Sequence, residues 1–199
     1  MLNAALLFAF LAAAVITDIR EQKIYNWTTY TGAFVAVAAS TLFWLLPPTQ
    51  FFSSVEAANY WIGFPPQVDG RGDSSLFGFF ACGLIMVVCF VIFAGQVGGG
   101  DVKLIAMIGA FLGVYRGLEA MMWTFLIAGA AALIVLVWKV GVGAIIRYVW
   151  GAVGSRLRLT AKPIVTEEEE RAFKTGLFIA PSALAAVIVV WLQLDRFLF

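Results

Sequence analysis

Six stretches of nearly uninterrupted apolar residues, 2–17, 27–46, 76–94, 102–114, 118–138 and 176–194, run through this chain. A helix needs roughly 20 residues to cross about 30 Å of hydrocarbon. Inside lipid every backbone N–H and C=O must be paired internally, and a helix does this within its own segment. Composition agrees: 62% of residues are hydrophobic and 13% charged, with a mean hydropathy of +0.95, whereas soluble domains are just under half apolar. The expected fold is an all-α integral membrane protein with about six transmembrane helices. It forms one polytopic domain over residues 1–199, with an outer loop at about 47–75 and a cytoplasmic loop at about 139–175.

A single helix over 102–138 would be about 55 Å long, far more than a bilayer needs. Arg116, Gly117 and Glu119 are therefore expected to mark a turn between two spans. No Lys or Arg precedes the first apolar run, so the basic region of a cleaved signal peptide is missing and the run reads as a span. Short cytoplasmic loops are enriched in Lys and Arg. With the N-terminus outside, ten basic residues fall inside (Arg20, Lys23, Lys103, Lys139, Arg147, Arg156, Arg158, Lys162, Arg171 and Lys174), and Arg71, Arg116 and Arg196 fall outside. That orientation, reached without reference to any acidic residue, places Asp18 and Asp101 at the same cytoplasmic membrane border.

Residues 47–75 carry Pro47-Pro48, Pro65-Pro66 and Asp69-Gly70-Arg71-Gly72-Asp73, a composition that cannot continue a helix. The Arg-Gly-Asp triplet reads as chance, and Phe51, Phe52, Tyr60, Trp61 and Phe64 suit the headgroup layer. Between 142 and 159, Ile145, Ile146, Val149, Trp150, Val153 and Leu157 recur at helical spacing among arginines, the pattern of an amphipathic helix lying in the cytoplasmic interface. Thr166 followed by Glu169 forms a capping box that starts a helix leading into the last span.

The chain contains no histidine. Ser-His-Asp relays, Ser-His membrane proteases and H-E-x-x-H zinc sites, which all need imidazole as base or ligand, are excluded. Cys82 and Cys89 lie seven apart in one apolar run and read as packing residues, with no metal site and no cofactor expected. What survives is a pair of carboxylates at the edge of hydrocarbon, a costly and usually functional placement. Two such groups brought together share one proton, so the ionised member can activate water while the protonated one polarises a carbonyl.

The residues around them sharpen this. Gly98-Gly99-Gly100-Asp101-Val102-Lys103-Leu104 resembles the G-x-G-D-V-K-L signature of the prepilin peptidases, intramembrane aspartyl proteases. Asp18-Ile19-Arg20-Glu21-Gln22-Lys23-Ile24-Tyr25-Asn26 resembles that family's first motif, an aspartate followed by basic residues and Ile-Pro-Asn. The resemblance covers the six-span layout and implies that Asp18 and Asp101 are the catalytic pair. Gly98, Gly100 and Lys103 would shape the second motif, while Lys23 and Asn26 would support the first. It further implies removal of a basic leader from type IV pilin-like precursors at the cytoplasmic face. The bilayer is the other expected partner, and no nucleic acid is expected.

Two positions depart from the family pattern. Tyr25 replaces the usual proline, and Phe178-Ile179-Ala180-Pro181 matches a proline-rich stretch only at Pro181. The cytoplasmic insert with paired cysteines that accompanies methyltransferase activity is missing, so the resemblance implies a peptidase alone. Lys103 could bind headgroups or substrate, or simply snorkel. The competing functions are a proton-coupled transporter, which would put its acidic groups near the bilayer midplane, and a non-catalytic assembly factor whose aspartates merely end their helices.

Overall fold

The computed structural model describes residues 2–21, 23–45, 75–92, 98–143 and 179–192, with positions 146 and 150. All regular structure among them is helical: α1 (Leu2–Glu21), α2 (Asn26–Leu45), α3 (Ser75–Ile92), α4 (Gly99–Val140) and α5 (Ile179–Trp191). Three helices are long and apolar enough to cross a membrane, over Asn3–Glu21, Ser75–Ile92 and Gly99–Lys139, and α5 is a shorter apolar helix. The expected outer loop, the capping box at Thr166 and nearly all of the expected interfacial helix lie outside the described residues.

The chain divides into two compact units. The first comprises Met1–Phe125 and Phe178–Phe199, and it carries both motif aspartates; the second is Leu126–Leu177. Within the first, α1 packs against α5 and α2, and α2 packs against α3. The buried positions of α1 are Ala4, Leu7, Leu11, Ala14 and Asp18. These alternate in steps of three and four residues, which keeps them on one stripe of a helix. Asp18 is the last member of that stripe, so the same periodicity that buries the apolar residues carries a carboxylate into the bundle.

In α3 the buried residues Ser75, Gly78, Cys82 and Met86 form a comparable stripe. Because the whole helix is apolar, hydrophobicity cannot select this face; small side chains that admit another backbone can. A Cβ on Gly78 would stand 2.1 Å from the Gly109 carbonyl oxygen and 2.8 Å from Gly113 Cα. Cys82 occupies the same seam, its Sγ 2.8 Å from where a Cβ on Gly109 or Gly117 would lie. The Ser75 hydroxyl donates to the Ala110 carbonyl at 2.5 Å, satisfying a polar group at the seam's end.

The 42 residues of α4 would measure about 63 Å if straight. The helix instead breaks at Gly113, whose φ of 79° and ψ of −174° are non-helical and readily adopted by glycine alone. The break expected at Arg116–Glu119 is thus displaced to Gly113, where Gly78 approaches the backbone. Arg116 is helical and buried, and its Nη1 donates to the Val190 carbonyl at 3.3 Å. A cation at the end of α5 complements its dipole. Upstream of the break, Leu104 to Phe111 are all buried, making this segment the surrounded centre of the first unit.

Candidate active site

The first turn of α4 is organised by its glycines. The Gly98 carbonyl accepts from the backbone N–H of Asp101 at 3.0 Å and of Val102 at 3.4 Å. In return the Gly98 N–H donates to Asp101 Oδ2 at 3.0 Å. This is the reciprocal arrangement of a capping box, with an aspartate at the third helical position reaching back to the cap. It holds the carboxylate at the positive end of the helix dipole.

The three glycines are not equivalent. A Cβ on Gly98 would lie 2.8 Å from Asp101 Oδ2, and one on Gly100 would lie 3.0 Å from Ile24 Cβ. A Cβ on Gly99 meets nothing within 4 Å among the described residues. The G-x-G spacing therefore has a local cause: the first glycine makes room for the carboxylate and the third makes room for the connection between α1 and α2.

Asp18 reaches its place from another direction. It is 8% exposed, and its Oδ2 accepts from the Ala180 backbone N–H at 3.3 Å. Ala180 lies in α5 and Pro181 follows it. Each aspartate thus accepts from a backbone N–H, Asp101 from one in its own turn and Asp18 from one in α5. Gly100, next to Asp101, packs against Ile24 of the connection that leaves α1 just beyond Asp18, so both carboxylates stand at the same end of the first unit.

The supporting residues expected from the motifs are brought together in part. Lys103 Nζ donates to Asn26 Oδ1 at 2.7 Å and stands 5.1 Å from the centre of the Tyr30 ring. Asn26 is the first residue of α2, so the second motif grips the end of the first. Lys23 is exposed. Tyr25 donates its hydroxyl to Glu21 Oε2 and accepts at its backbone carbonyl from the Thr28 hydroxyl at 2.6 Å. Sequence reasoning missed Ile24, Tyr30 and the Ala180 N–H. Only the last had a signal, since Pro181 marks a helix start.

Chemically, one end of the first unit holds two carboxylates from distant parts of the chain, each tied to a backbone donor. Such a pair can hold a single proton between its members and serve as base and acid together. The sequence profile of the type IV leader peptidase family matches residues 5–137, a span that contains both aspartates. No curated protein and no solved structure matches the chain.

Proposed function

The chain belongs to the type IV leader peptidase family, and from that premise we propose that it is a membrane-embedded aspartyl endopeptidase whose catalytic pair is Asp18 and Asp101. The observation that carries this reading is the placement of the two motif carboxylates, 83 positions apart in the sequence, at one end of one helical unit, where Gly100 beside Asp101 packs against Ile24 of the connection that follows Asp18. In this mechanism the pair shares one proton. The ionised carboxylate takes a proton from water as its oxygen attacks the scissile carbonyl, and the protonated carboxyl donates to the carbonyl oxygen. Collapse of the tetrahedral intermediate breaks the C–N bond while a proton passes to the departing nitrogen. The titration belongs to the pair jointly.

The substrate in this reading is a type IV pilin-like precursor, cut between its basic leader and its hydrophobic helix. A precursor lying with its helix in the bilayer and its leader in the cytoplasm presents that bond at the membrane border. We take the N-terminus to be outside, the site cytoplasmic and the spans to number six. The excess of inward basic residues supports the orientation. The six apolar runs of the sequence support the count.

Asp18→Asn and Asp101→Asn, made singly, are each expected to reduce cleavage of such a precursor by at least about 100-fold, the scale of lost general acid–base catalysis. Both variants should still insert and accumulate. Wild-type cleavage by either one would refute the pair as the catalytic centre.

A further inference from the structure

A lysine at a membrane border ordinarily extends its ammonium into water. Lys103 instead lays it along the protein, onto the exposed Asn26 amide oxygen at 2.7 Å and beside the exposed ring of Tyr30 at 5.1 Å. Asn26 and Tyr30 occupy the first two turns of α2, so one side chain ties the start of α2 to the start of α4. One turn earlier along α4 a second contact joins the same parts, because Gly100 leaves space in which Ile24 rests. The short connection leading from α1 is therefore gripped at Ile24 and again at Asn26, on either side of Tyr25.

Asp101 lies between Gly100 and Lys103 on the gripped turns, while Asp18 lies on the last turns of α1, just ahead of the connection. A helix transmits displacement of its end to residues one turn back, so movement at Ile24 or Asn26 shifts Asp18 relative to Asp101. We propose that Lys103 is a positioning residue that, acting through Asn26 and together with the Ile24–Gly100 contact, sets the separation of the Asp18 and Asp101 carboxylates. This rests on those aspartates being the catalytic pair. In this reading the Lys103 ammonium acts first on Asn26, and its effect on cleavage runs through the placement of the aspartates rather than through substrate binding.

The test measures kcat and KM for a pilin-like precursor with the full chain reconstituted in lipid. Lys103→Met and Asn26→Ala should each lower kcat about tenfold and leave KM near wild type, since misplacing reacting groups by about 1 Å can cost up to about 100-fold. The double variant should be no slower than Lys103→Met alone, as expected of residues acting through one contact. Lys103→Arg, which keeps the charge and the ring contact, should recover part of the loss. A raised KM with unchanged kcat would instead make Lys103 a substrate ligand, and independent multiplication of the two losses would separate it from Asn26; either result overturns the proposal.

A second measurement does not need cleavage. Ile24→Cys with Gly100→Cys places two Cβ atoms 3.0 Å apart, so a slight outward shift of the connection brings them into the range of about 3.5–4.5 Å suited to a disulfide. Mild oxidation of the membrane-embedded chain should close it, read as loss of two labelled thiols relative to the same double variant before oxidation, with the Ile24→Cys variant, which should lose none, as control. Adding Lys103→Met, or Asn26→Ala should the former not accumulate, should slow closure severalfold. Unchanged closure would overturn the clamp. Closure that depends on Lys103 in a chain that cleaves no precursor would leave the clamp standing and remove the peptidase reading instead.

Discussion

Asp101 and Asp18 are the same residue type placed at the same end of the same unit, yet the chain builds their surroundings in opposite ways. Asp101 is held by its own turn: three residues separate it from the Gly98 N–H it accepts from, and the glycines that permit this are adjacent in sequence. Asp18 is held by a donor 162 residues away, the Ala180 N–H, after a heptad-like stripe has delivered it to the bundle interior. A local motif should fail through local sterics, whereas a tertiary placement should fail through the partner helix.

The sharpest way to break this contrast is at Gly98. An alanine there brings a Cβ to 2.8 Å from Asp101 Oδ2, forcing the carboxylate off its cap. Gly98→Ala is expected to reduce precursor cleavage about 100-fold, the scale of a displaced catalytic group. Gly99→Ala, whose Cβ would meet nothing within 4 Å among the described residues, should stay within about twofold, because alanine suits a helix better than glycine does. Equal losses at both positions would show that the motif needs backbone freedom rather than room for the aspartate.

For Asp18 the corresponding break lies in α5. Ala180→Pro removes the N–H that the carboxylate accepts among the described residues. A loss of about tenfold in cleavage is expected, the lower end of what a hydrogen bond to a charged group contributes, given its 3.3 Å length. Ala180 is fully buried, so Ala180→Val, which adds bulk and keeps the donor, is the control. If both variants lose the same activity, packing of α5 rather than its N–H places Asp18.

The same contrast explains what could be read from the sequence. The apolar runs, the helical class and the glycine-aspartate turn are local properties, and each was legible. Even the stripe of Ala4, Leu7, Leu11 and Ala14 that ends on Asp18 was present in the spacing. The position of the break in α4 was not legible: Arg116, Gly117 and Glu119 have the composition of a turn, but the bend occurs at Gly113, where Gly78 of a different helix requires the backbone to open. Arg116 looks like a loop charge until the Val190 carbonyl supplies its partner. Lys103 likewise reads as a border lysine until Asn26 and Tyr30 arrive beside it. In each case the deciding contact comes from residues distant in sequence, and an N–H such as that of Ala180 has no side-chain identity to betray it.

The smallest expected effect tests whether Asp18 has any local support at all. Tyr25 stands where the family pattern has proline, and its hydroxyl bridges the last turn of α1 to the connection by donating to Glu21. That hydrogen bond and the Glu21 charge hold the Tyr25 phenol above its usual pKa, so it remains a donor throughout the neutral range. Both side chains are exposed, however, and exposed polar pairs at charged groups contribute little to position or stability. Tyr25→Phe should therefore change precursor cleavage by less than about twofold, with no pH dependence of its own near neutrality. Should Tyr25→Phe cost as much as Gly98→Ala, the end of α1 would be locally fastened in the manner of Asp101, and the two aspartates would no longer represent different ways of placing a carboxylate.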